Sequence, residues 1–260
     1  MSRNAAHSLR VPSDWIGFVC YLAIDSIRRQ YARTKLGPLW LILTQFVMIA
    51  GIAFVFFSIF KRPLGQFVLF ISASILAWNL ISVSITTAPT VFTGQSSLIQ
   101  SFPLPFSIFP LQTMLNSLIV FLHGLAIHIV LMLALGGSLK TLPFLVLSLL
   151  VIVAIIYPAI AALGILGARY RDLAPMVGSI MYMAFLITPI IWDRIDIGGG
   201  MIWIVDLNPF YHMIEVVRRP MLGTLPSTRS MVVTLAMAGI ALAAGEMFFR
   251  RYARPLPFWI

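Results

Sequence analysis

The sequence predicts an all-α integral membrane protein with six transmembrane helices, an N-terminal amphipathic interfacial helix and two short external re-entrant helices. Three observations support this fold class. Hydrophobic residues make up 60% of the 260 residues, and the mean hydropathy is +0.98. Charged residues make up only 10%, whereas a soluble domain carries roughly 25%. Several uncharged stretches also reach the length of about 20 apolar residues that crosses a bilayer. A water-soluble protein is therefore excluded.

The first predicted element is an amphipathic helix over residues 13–35. Ser13 is a suitable N-cap, and Asp14 lies in the first turn, where an acidic side chain is stabilising. Apolar residues such as Trp15 supply one face, and basic residues gather toward the C-terminal end. These basic residues are Arg28, Arg29, Arg33 and Lys35. A basic helix with aromatic residues is typical of the headgroup interface, and an ordinary surface anchor explains the pattern equally well.

Six transmembrane spans follow, because charges and one polar segment divide the apolar sequence. The polar segment, residues 86–107, is rich in Ser, Thr, Gln and Pro and interrupts the longest uncharged run. We place the spans at 39–60, 67–86, 108–135, 142–168, 176–192 and 230–249.

The orientation of the spans follows from the Lys and Arg residues. With both termini in the cytoplasm, most of the 18 Lys and Arg residues lie inside, as the positive-inside rule requires. The same rule explains the net charge of +10, so no nucleic-acid partner is expected. Residues 1–38 lack the apolar core and the small-residue cleavage site of a signal peptide.

Residues 86–107, which we call the uncharged segment, have an unusual composition for a cytoplasmic loop. They carry no charge of either sign, although they include apolar residues such as Leu98 and Phe102. Such a composition suits burial against another protein better than exposure to water. The alternative is a tight loop that packs on its own bundle.

The stretch 193–229 is predicted to lie outside and to form two short helices separated by Asn208-Pro209. Proline is favoured at the first position of a helix, and neither helix is long enough to span. Glu215 can pair with Arg218 and Arg219 at spacings of three and four residues. We expect both helices to be interfacial or re-entrant at the outer mouth.

Several kinds of chemistry are missing from the sequence. No Gly-rich loop ending in Gly-Lys-Ser/Thr occurs, so the chain does not hydrolyse ATP by that route. Cys20 is the single cysteine, which excludes an internal disulfide and a cysteine metal site. His123 and His128 lie five residues apart, on different helix faces, and indicate packing rather than a metal site. Asp193 and Asp196 are expected to be solvated loop acids.

The acidic residues avoid the predicted spans. Of the eight Asp and Glu residues, one, Glu246, lies in a span, at the cytoplasmic end of the sixth. Carriers coupled to protons or sodium place ionisable groups inside the membrane, and a membrane enzyme needs catalytic groups that converge at one depth. Neither pattern is present. The sequence therefore indicates a conduit that a partner protein drives.

Specific strings resemble the type 2 ABC-transporter permeases that export bacterial polysaccharides, and they follow one another in order along nearly the whole chain. The strings are Arg29–Trp40 (RQYARTKLGPLW), Trp78–Ser82 (WNLIS), Leu98–Pro105 (LIQSFPLP), Ala168–Leu173 (ARYRDL), Thr188–Trp192 (TPIIW) and Leu207–Gly223, which begins LNPFYHMIE. The lipopolysaccharide O-antigen branch of this family is the most similar, and capsule and teichoic acid exporters are its relatives.

The resemblance implies that residues 1–260 form a single transmembrane permease domain of the bacterial inner membrane. Residues 13–35 would be a gate helix at the cytoplasmic entrance, 89–107 the coupling segment, and 193–229 the periplasmic gate helices. The working unit would be a homodimer with two copies of a cytoplasmic ATP-binding subunit, which binds the ATP and magnesium; this chain would need no cofactor. The cargo would be a glycan on undecaprenyl pyrophosphate. The residues that dock on the ATP-binding subunit would be Gln95, Leu98, Gln100, Phe102 and Pro103.

Two sets of residues suit that cargo. Aromatic rings hold sugar C–H faces loosely, and the candidate pore residues are Trp40, Phe46, Phe54, Phe57, Tyr182, Phe185 and Trp192. A pyrophosphate needs cations at the inner leaflet, and the candidates are Arg28, Arg29, Arg33, Lys35, Arg169 and Arg171. Aromatics that face lipid, and cations that only anchor the topology, are the alternatives. A membrane enzyme acting on polyprenyl-linked sugars and a permease for drugs or other lipophilic substrates are the competing functions.

Overall fold

The computed structural model describes Leu9, Val11 and residues 13–31, 34–36, 39–60, 63–194 and 202–260, and for residues 30, 31, 39, 41, 42 and 57–60 it describes the backbone alone. Ten α-helices make up most of this described part, in which no β-strand occurs. They are α1 (Ser13–Tyr31), α2 (Leu39–Phe60), α3 (Leu64–Thr87), α4 (Ser96–Ser101), α5 (Ile108–Ala134), α6 (Phe144–Arg169), α7 (Leu173–Ile187), α8 (Ile202–Leu207), α9 (Pro209–Met221) and α10 (Thr228–Tyr252). Short 3₁₀ turns lie at Ala88–Thr90, Thr93–Gln95 and Leu256–Phe258.

The predicted all-α membrane fold is confirmed. Helices α3, α5, α6 and α10 are long and apolar enough to cross a membrane. Helices α2 and α7 contain the shorter apolar helices Leu43–Phe56 and Leu173–Ile187. Each of the six predicted spans therefore coincides with an apolar helix.

Two helix ends differ from the prediction. The fifth span was placed at 176–192, but α7 begins at Leu173 and ends at Ile187. Thr188 has extended backbone angles, because the ring of Pro189 disfavours the helical conformation of the residue before it. Helix α1 is described as Ser13–Tyr31, and residues 34 and 35, which the prediction placed in the helix, are not helical.

Helix α3 is the centre of the bundle. It packs against α2, α5, α6, α7 and α9, and most of its side chains are buried. Gly124 lets α5 approach closely, since a Cβ atom there would lie 2.1 Å from Leu76 Cδ2. Buried serines of α3 satisfy their hydroxyls within the helix: Ser74 Oγ donates to Phe70 O at 2.8 Å.

Helix α1 runs alongside the first turns of α5 and in the same direction. Gln112 Nε2 donates to Leu22 O at 3.5 Å, and Asn116 Nδ2 donates to Ser26 Oγ at 2.8 Å. Both partners advance by four residues from the first contact to the second, so the two helices are locally parallel. Val19 is fully buried in this interface region. The sequence did not identify α5 as the partner of α1.

The bundle has two distinct ends. Helices α8 and α9 lie at one end, beside the C-terminal ends of α5 and α7 and the start of α10; we call it the α9 end. The uncharged segment, the loop between α6 and α7 and the last residues of the chain lie together at the other; we call it the α4 end.

Candidate functional site

The first part of the uncharged segment lies directly on helix α6. A Cβ atom at Gly167 would lie 2.0 Å from Pro89 O, and one at Gly164 would lie 2.3 Å from Val91 Cγ1. Both distances are far below van der Waals contact, so these positions require the absence of a side chain. Phe92 is fully buried and packs edge-to-face on Phe109 at 6.2 Å. The segment is therefore fixed to the bundle at residues 88–92.

The second part of the uncharged segment presents side chains at the surface. Leu98 and Gln95 are half-buried, whereas Phe102 is 57% exposed and Pro103 is exposed. Gln100 Nε2 donates to the backbone oxygen of Ile260 at 3.1 Å. The five residues predicted to dock on a partner thus lie on one short stretch, in which Phe102 and Pro103 are exposed apolar residues.

Two of the predicted headgroup cations lie beside this segment. The Arg169 guanidinium stacks 5.1 Å from the Trp259 ring, and its Nε donates to the Tyr170 hydroxyl at 3.1 Å. Arg171 lines a cavity of about 290 Å³ together with Ser96 and Trp259. Arg169 and Arg171 are therefore part of the surface that surrounds the uncharged segment.

The other predicted cations belong to α1 and the residues after it. Arg28 is exposed, and Arg29 Nη1 lies 2.9 Å from Asp25 Oδ2 in an exposed pair. Lys35 is exposed, and Arg33 lies outside the described residues. Arg28 and Arg29 are thus exposed on α1, whereas Arg169 and Arg171 lie against the uncharged segment.

The predicted pore aromatics differ in their surroundings. Trp40, Phe46, Phe54 and Tyr182 are exposed on α2 and α7. Phe185 is half-buried, and its ring centroid lies 5.7 Å from that of Trp78. Trp192 is half-buried as well, and the side chain of Phe57 lies outside the described residues. Since α2 and α7 both pack on α3, the exposed rings belong to two neighbours of this central helix.

The two predicted external helices are present and are joined by Asn208. Asn208 Oδ1 accepts hydrogen bonds from the backbone N–H groups of Phe210 at 2.9 Å and Tyr211 at 3.4 Å, and so caps α9. Asn208 Nδ2 donates to Thr188 Oγ1 at 2.9 Å. The Asn-Pro pair therefore starts α9 and ties it to the end of α7.

Helix α9 inserts a fully buried arginine into the bundle. Arg218 is 0% exposed, and its Nη2 lies 2.7 Å from Glu215 Oε2. Its Nη1 donates to Ser74 Oγ at 3.2 Å and to Pro189 O at 2.9 Å. Its guanidinium lies 4.6 Å from the centre of the Phe70 ring. The sequence predicted the pairing with Glu215, which is confirmed, but not the contacts with α3.

Glu215 forms ion pairs with two arginines, Arg218 and Arg219. Its second carboxylate oxygen accepts from Arg219 Nε. Burial disfavours the charged form of Glu215, but the two guanidinium groups outweigh this effect and lower the pKa of its carboxyl below the ordinary value. Glu215 is therefore ionised at neutral pH, as this buried ion-pair network requires.

A second charged cluster joins α8 to α10. Asp206 accepts from Arg194 Nη2 at 3.1 Å and from Arg229 Nη1 at 2.7 Å. His212 bonds Ser230 Oγ through Nδ1 and Asp206 O through Nε2, both at 2.9 Å. Both ring nitrogens of His212 are thus engaged, and the cluster ties α8, α9 and α10 together.

These two clusters line one cavity of about 630 Å³ at the α9 end. Asp193 also lines it and is 8% exposed, so the expectation of a solvated loop acid was wrong for this residue. Asp196 lies outside the described residues. The expectation that acids and histidines do not converge was also wrong, because Asp193, Asp206, His212 and Glu215 line this cavity together. Asp206, Glu215 and His212 are, however, all engaged by neighbouring side chains or backbone, as expected for a clamp between helices.

His128 is a further buried contact at this end. Its Nδ1 lies 2.7 Å from Ser72 Oγ, and its Nε2 lies 2.8 Å from the backbone oxygen of Met221 at the end of α9. This agrees with the prediction of a packed histidine. Helix α9 is therefore held by α3, α5, α7 and α10 together.

A comparison with protein families decides which class of transporter this architecture belongs to. The family model described as ABC-2 type transporter matches residues 19–222, which include α1 from Val19 onward, the uncharged segment and both short helices of the α9 end. The chain belongs to the ABC-2 type transporter family. A search of curated proteins found no match.

As a member of the ABC-2 family, the chain is a transmembrane subunit of an ABC exporter. ABC-2 permeases pair with cytoplasmic ATP-binding subunits, and the nucleotide is bound by that partner. The prediction of a multi-pass permease subunit is confirmed at this level.

Proposed function

We propose that this ABC-2 permease exports a lipid-linked, O-antigen-like polysaccharide across the bacterial inner membrane. The resemblance of its strings to polysaccharide exporters supports this substrate class, because those strings occur in order along the chain. In this proposal the glycan is carried on undecaprenyl pyrophosphate, and the permease moves it without chemical change.

The observation that carries the proposal is the basic end of α1. Arg28 and Arg29 are exposed on a helix that runs parallel to the first turns of α5. With both termini in the cytoplasm, this direction carries the two arginines from the cytoplasm toward the inner leaflet. A pyrophosphate headgroup lies at that depth and is bound by arginine through charge-assisted hydrogen bonds. Arg33 and Lys35 follow in the sequence and extend the cationic region.

The proposed working unit is a homodimer. The exposed aromatic residues Trp40, Phe46 and Phe54 of α2 and Tyr182 of α7 supply a surface on which a second copy and a sliding glycan can pack. Helices α2 and α7 both pack on α3, so a second copy that covers them encloses a path beside α3.

The proposed docking surface for the ATP-binding subunit is the α4 end. Residues 89–107 act as the coupling segment, and Gln95, Leu98, Gln100, Phe102 and Pro103 make the contact. Arg169 and Arg171, which lie beside this segment, contribute positive charge to the same surface. The helices at the α9 end are then the periplasmic gate.

The decisive experiment is ATP hydrolysis by reconstituted protein. We expect the purified chain alone to hydrolyse no ATP. Together with the ATP-binding subunit that copurifies with it, hydrolysis is expected to rise when undecaprenyl-pyrophosphate-linked oligosaccharide is added to the proteoliposomes. Stimulation by lipophilic drugs and not by the glycolipid would establish the drug-permease function instead, and turnover of the glycolipid itself would establish the membrane enzyme.

The proposed orientation predicts a labelling pattern in intact cells. In a Cys20→Ser background, Ser138→Cys and Gln66→Cys at the α9 end are expected to react with a membrane-impermeant maleimide from the periplasm. Ser97→Cys at the α4 end is expected to react only after the cells are opened, and to crosslink to the ATP-binding subunit. Labelling of Ser97→Cys in intact cells would reverse the orientation.

A further inference from the structure

A groove between α1, α3 and α5 is lined by amide and hydroxyl side chains and has a volume of about 490 Å³. We call it the amide groove. Its polar lining includes Ser26, Thr87, Gln112, Thr113, Asn116 and Ser117. Helix α5 contributes more of this lining than any other element, because residues 112, 113, 116 and 117 lie on one face of a helix.

Two amide side chains of α5, the buried Gln112 and the half-buried Asn116, line the amide groove. Gln112 is 5% exposed, and its Nε2 is 3.5 Å from Leu22 O. Asn116 donates to Ser26, whereas its Oδ1 is buried and has no hydrogen-bond partner among the described residues. Polar groups buried without partners are costly. The groove therefore holds hydrogen-bonding capacity that α1 and α5 do not use on each other.

The polar lining continues deeper into the bundle. A neighbouring cavity of about 130 Å³ shares Val83 and Ser117 with the amide groove and reaches Gln45 and Asn79. Asn79 Nδ2 donates to Gln45 Oε1 at 3.1 Å and so joins α3 to α2. Amides and hydroxyls thus follow one another from the uncharged segment to the middle of α3.

The chemistry of the described lining selects the ligand class. It carries no charged side chain, so it offers nothing to neutralise a phosphate or a carboxylate. An acyl chain in this groove would leave amides unpaired, at a free-energy cost. A neutral molecule with many hydroxyls satisfies amide donors and acceptors, and the apolar members Val83 and Val120 suit the C–H faces of a sugar ring.

We infer that the amide groove binds the uncharged sugar units of the exported glycan that lie next to its lipid carrier. This inference rests on the proposed function. Arg28 and Arg29 directly follow the groove residues Ser26 and Ile27 in α1. The cations then hold the pyrophosphate, and the groove holds the first sugars attached to it.

The same groove touches the uncharged segment. Thr90, Gly94 and Gln95 belong to its lining, so a bound sugar lies against both α1 and the segment proposed to dock on the ATP-binding subunit. Sugar binding and ATP hydrolysis are then linked by direct contact.

The test compares two probes on the purified full-length chain in nanodiscs. The probes are undecaprenyl-pyrophosphate-linked oligosaccharide and undecaprenyl pyrophosphate without sugar. We expect Gln112→Leu with Asn116→Leu to weaken binding of the glycolipid about tenfold and to leave binding of the sugar-free lipid unchanged, since each lost hydrogen bond contributes a factor of several. Arg28→Glu with Arg29→Glu is expected to weaken binding of both probes. Gln66→Leu, an exposed amide of α3 outside the groove, is the matched control and should change neither.

The outcomes distinguish a failure of the groove assignment from a failure of the proposed polysaccharide function. The groove assignment is overturned if the double leucine variant binds the glycolipid as tightly as the wild type does. It is also overturned if this variant unfolds at the wild-type temperature but loses affinity for both probes equally. Should the leucine variant fail to accumulate, Thr87→Val with Thr113→Val removes two hydroxyls without changing shape, and unchanged glycolipid binding by that variant overturns the assignment. If wild type binds neither probe, it is the polysaccharide function that fails.

Discussion

Replacing Arg218 with methionine is expected to lower the free energy of unfolding by about 3–5 kcal/mol, because the change breaks a buried ion pair and leaves one partner behind. Glu215, itself 3% exposed, would keep only Arg219, and Ser74 Oγ and Pro189 O would lose their donor. Titration of the purified protein with SDS, followed by its tryptophan fluorescence, measures the change. We also expect export to be lost, since α9 would no longer be anchored to α3.

The matched control for Arg218 lies on α10. Arg250 pairs with Glu246 at a spacing of four residues, but this arginine is exposed, and exposed pairs contribute about 0–1 kcal/mol. Arg250→Met should therefore be close to neutral. Arg218→Lys keeps the charge but lacks the fork of donors that reaches three partners, so its cost should be intermediate. Equal costs for Arg218→Met and Arg250→Met would contradict the proposed anchor.

Replacing Gly167 with alanine is expected to displace the uncharged segment and to abolish most of the glycan-stimulated ATP hydrolysis. The new Cβ atom would meet Pro89 O at 2.0 Å and the Pro89 carbonyl carbon at 2.6 Å. These are backbone atoms, which cannot rotate away as a flexible side chain can. We expect a stability cost of about 1–3 kcal/mol from overpacking, and loss of the Ser97→Cys crosslink to the ATP-binding subunit.

Gly239→Ala is the control for this second substitution. Gly239 lies in α10, and a Cβ atom there meets nothing within 4 Å. Alanine favours a helix over glycine by about 1 kcal/mol, so this variant should be as stable as the wild type and fully active. Normal glycan-stimulated ATP hydrolysis with the Gly167→Ala variant would show that coupling does not depend on the packing of the uncharged segment on α6.

The sequence predicted the helices well because apolar length and helix breakers act locally. The apolar runs predicted the positions of all six spans, and Asn208-Pro209 predicted the start of α9. The misplaced end of α7 has a local cause as well, since the effect of Pro189 on Thr188 is readable from the sequence.

The side-chain clusters could not be predicted in the same way, because they depend on tertiary packing. The Glu215–Arg218 pair follows from spacing along one helix, whereas the Arg218–Ser74 contact joins residues 144 positions apart. The amide groove was missed for the same reason. Gln112 and Asn116 lie on one helix face, but nothing in the sequence indicated that α1 would lie against it.

Helix α3 runs without a break from Leu64 to Thr87 and continues directly into the turn Ala88–Thr90. Ser74, which accepts from Arg218, lies 13 residues before Thr87, or about 20 Å along the helix axis. One rigid helix thus connects the uncharged segment, at its C-terminal end, with the Ser74–Arg218 contact that anchors α9. A tilt of about 10° at the end near Thr87 moves Ser74 by about 3 Å, which is comparable to the 3.2 Å length of its hydrogen bond with Arg218. In the proposed orientation, a small movement on the ATP-binding side is therefore enough to break the contact between α3 and Arg218 at the α9 end.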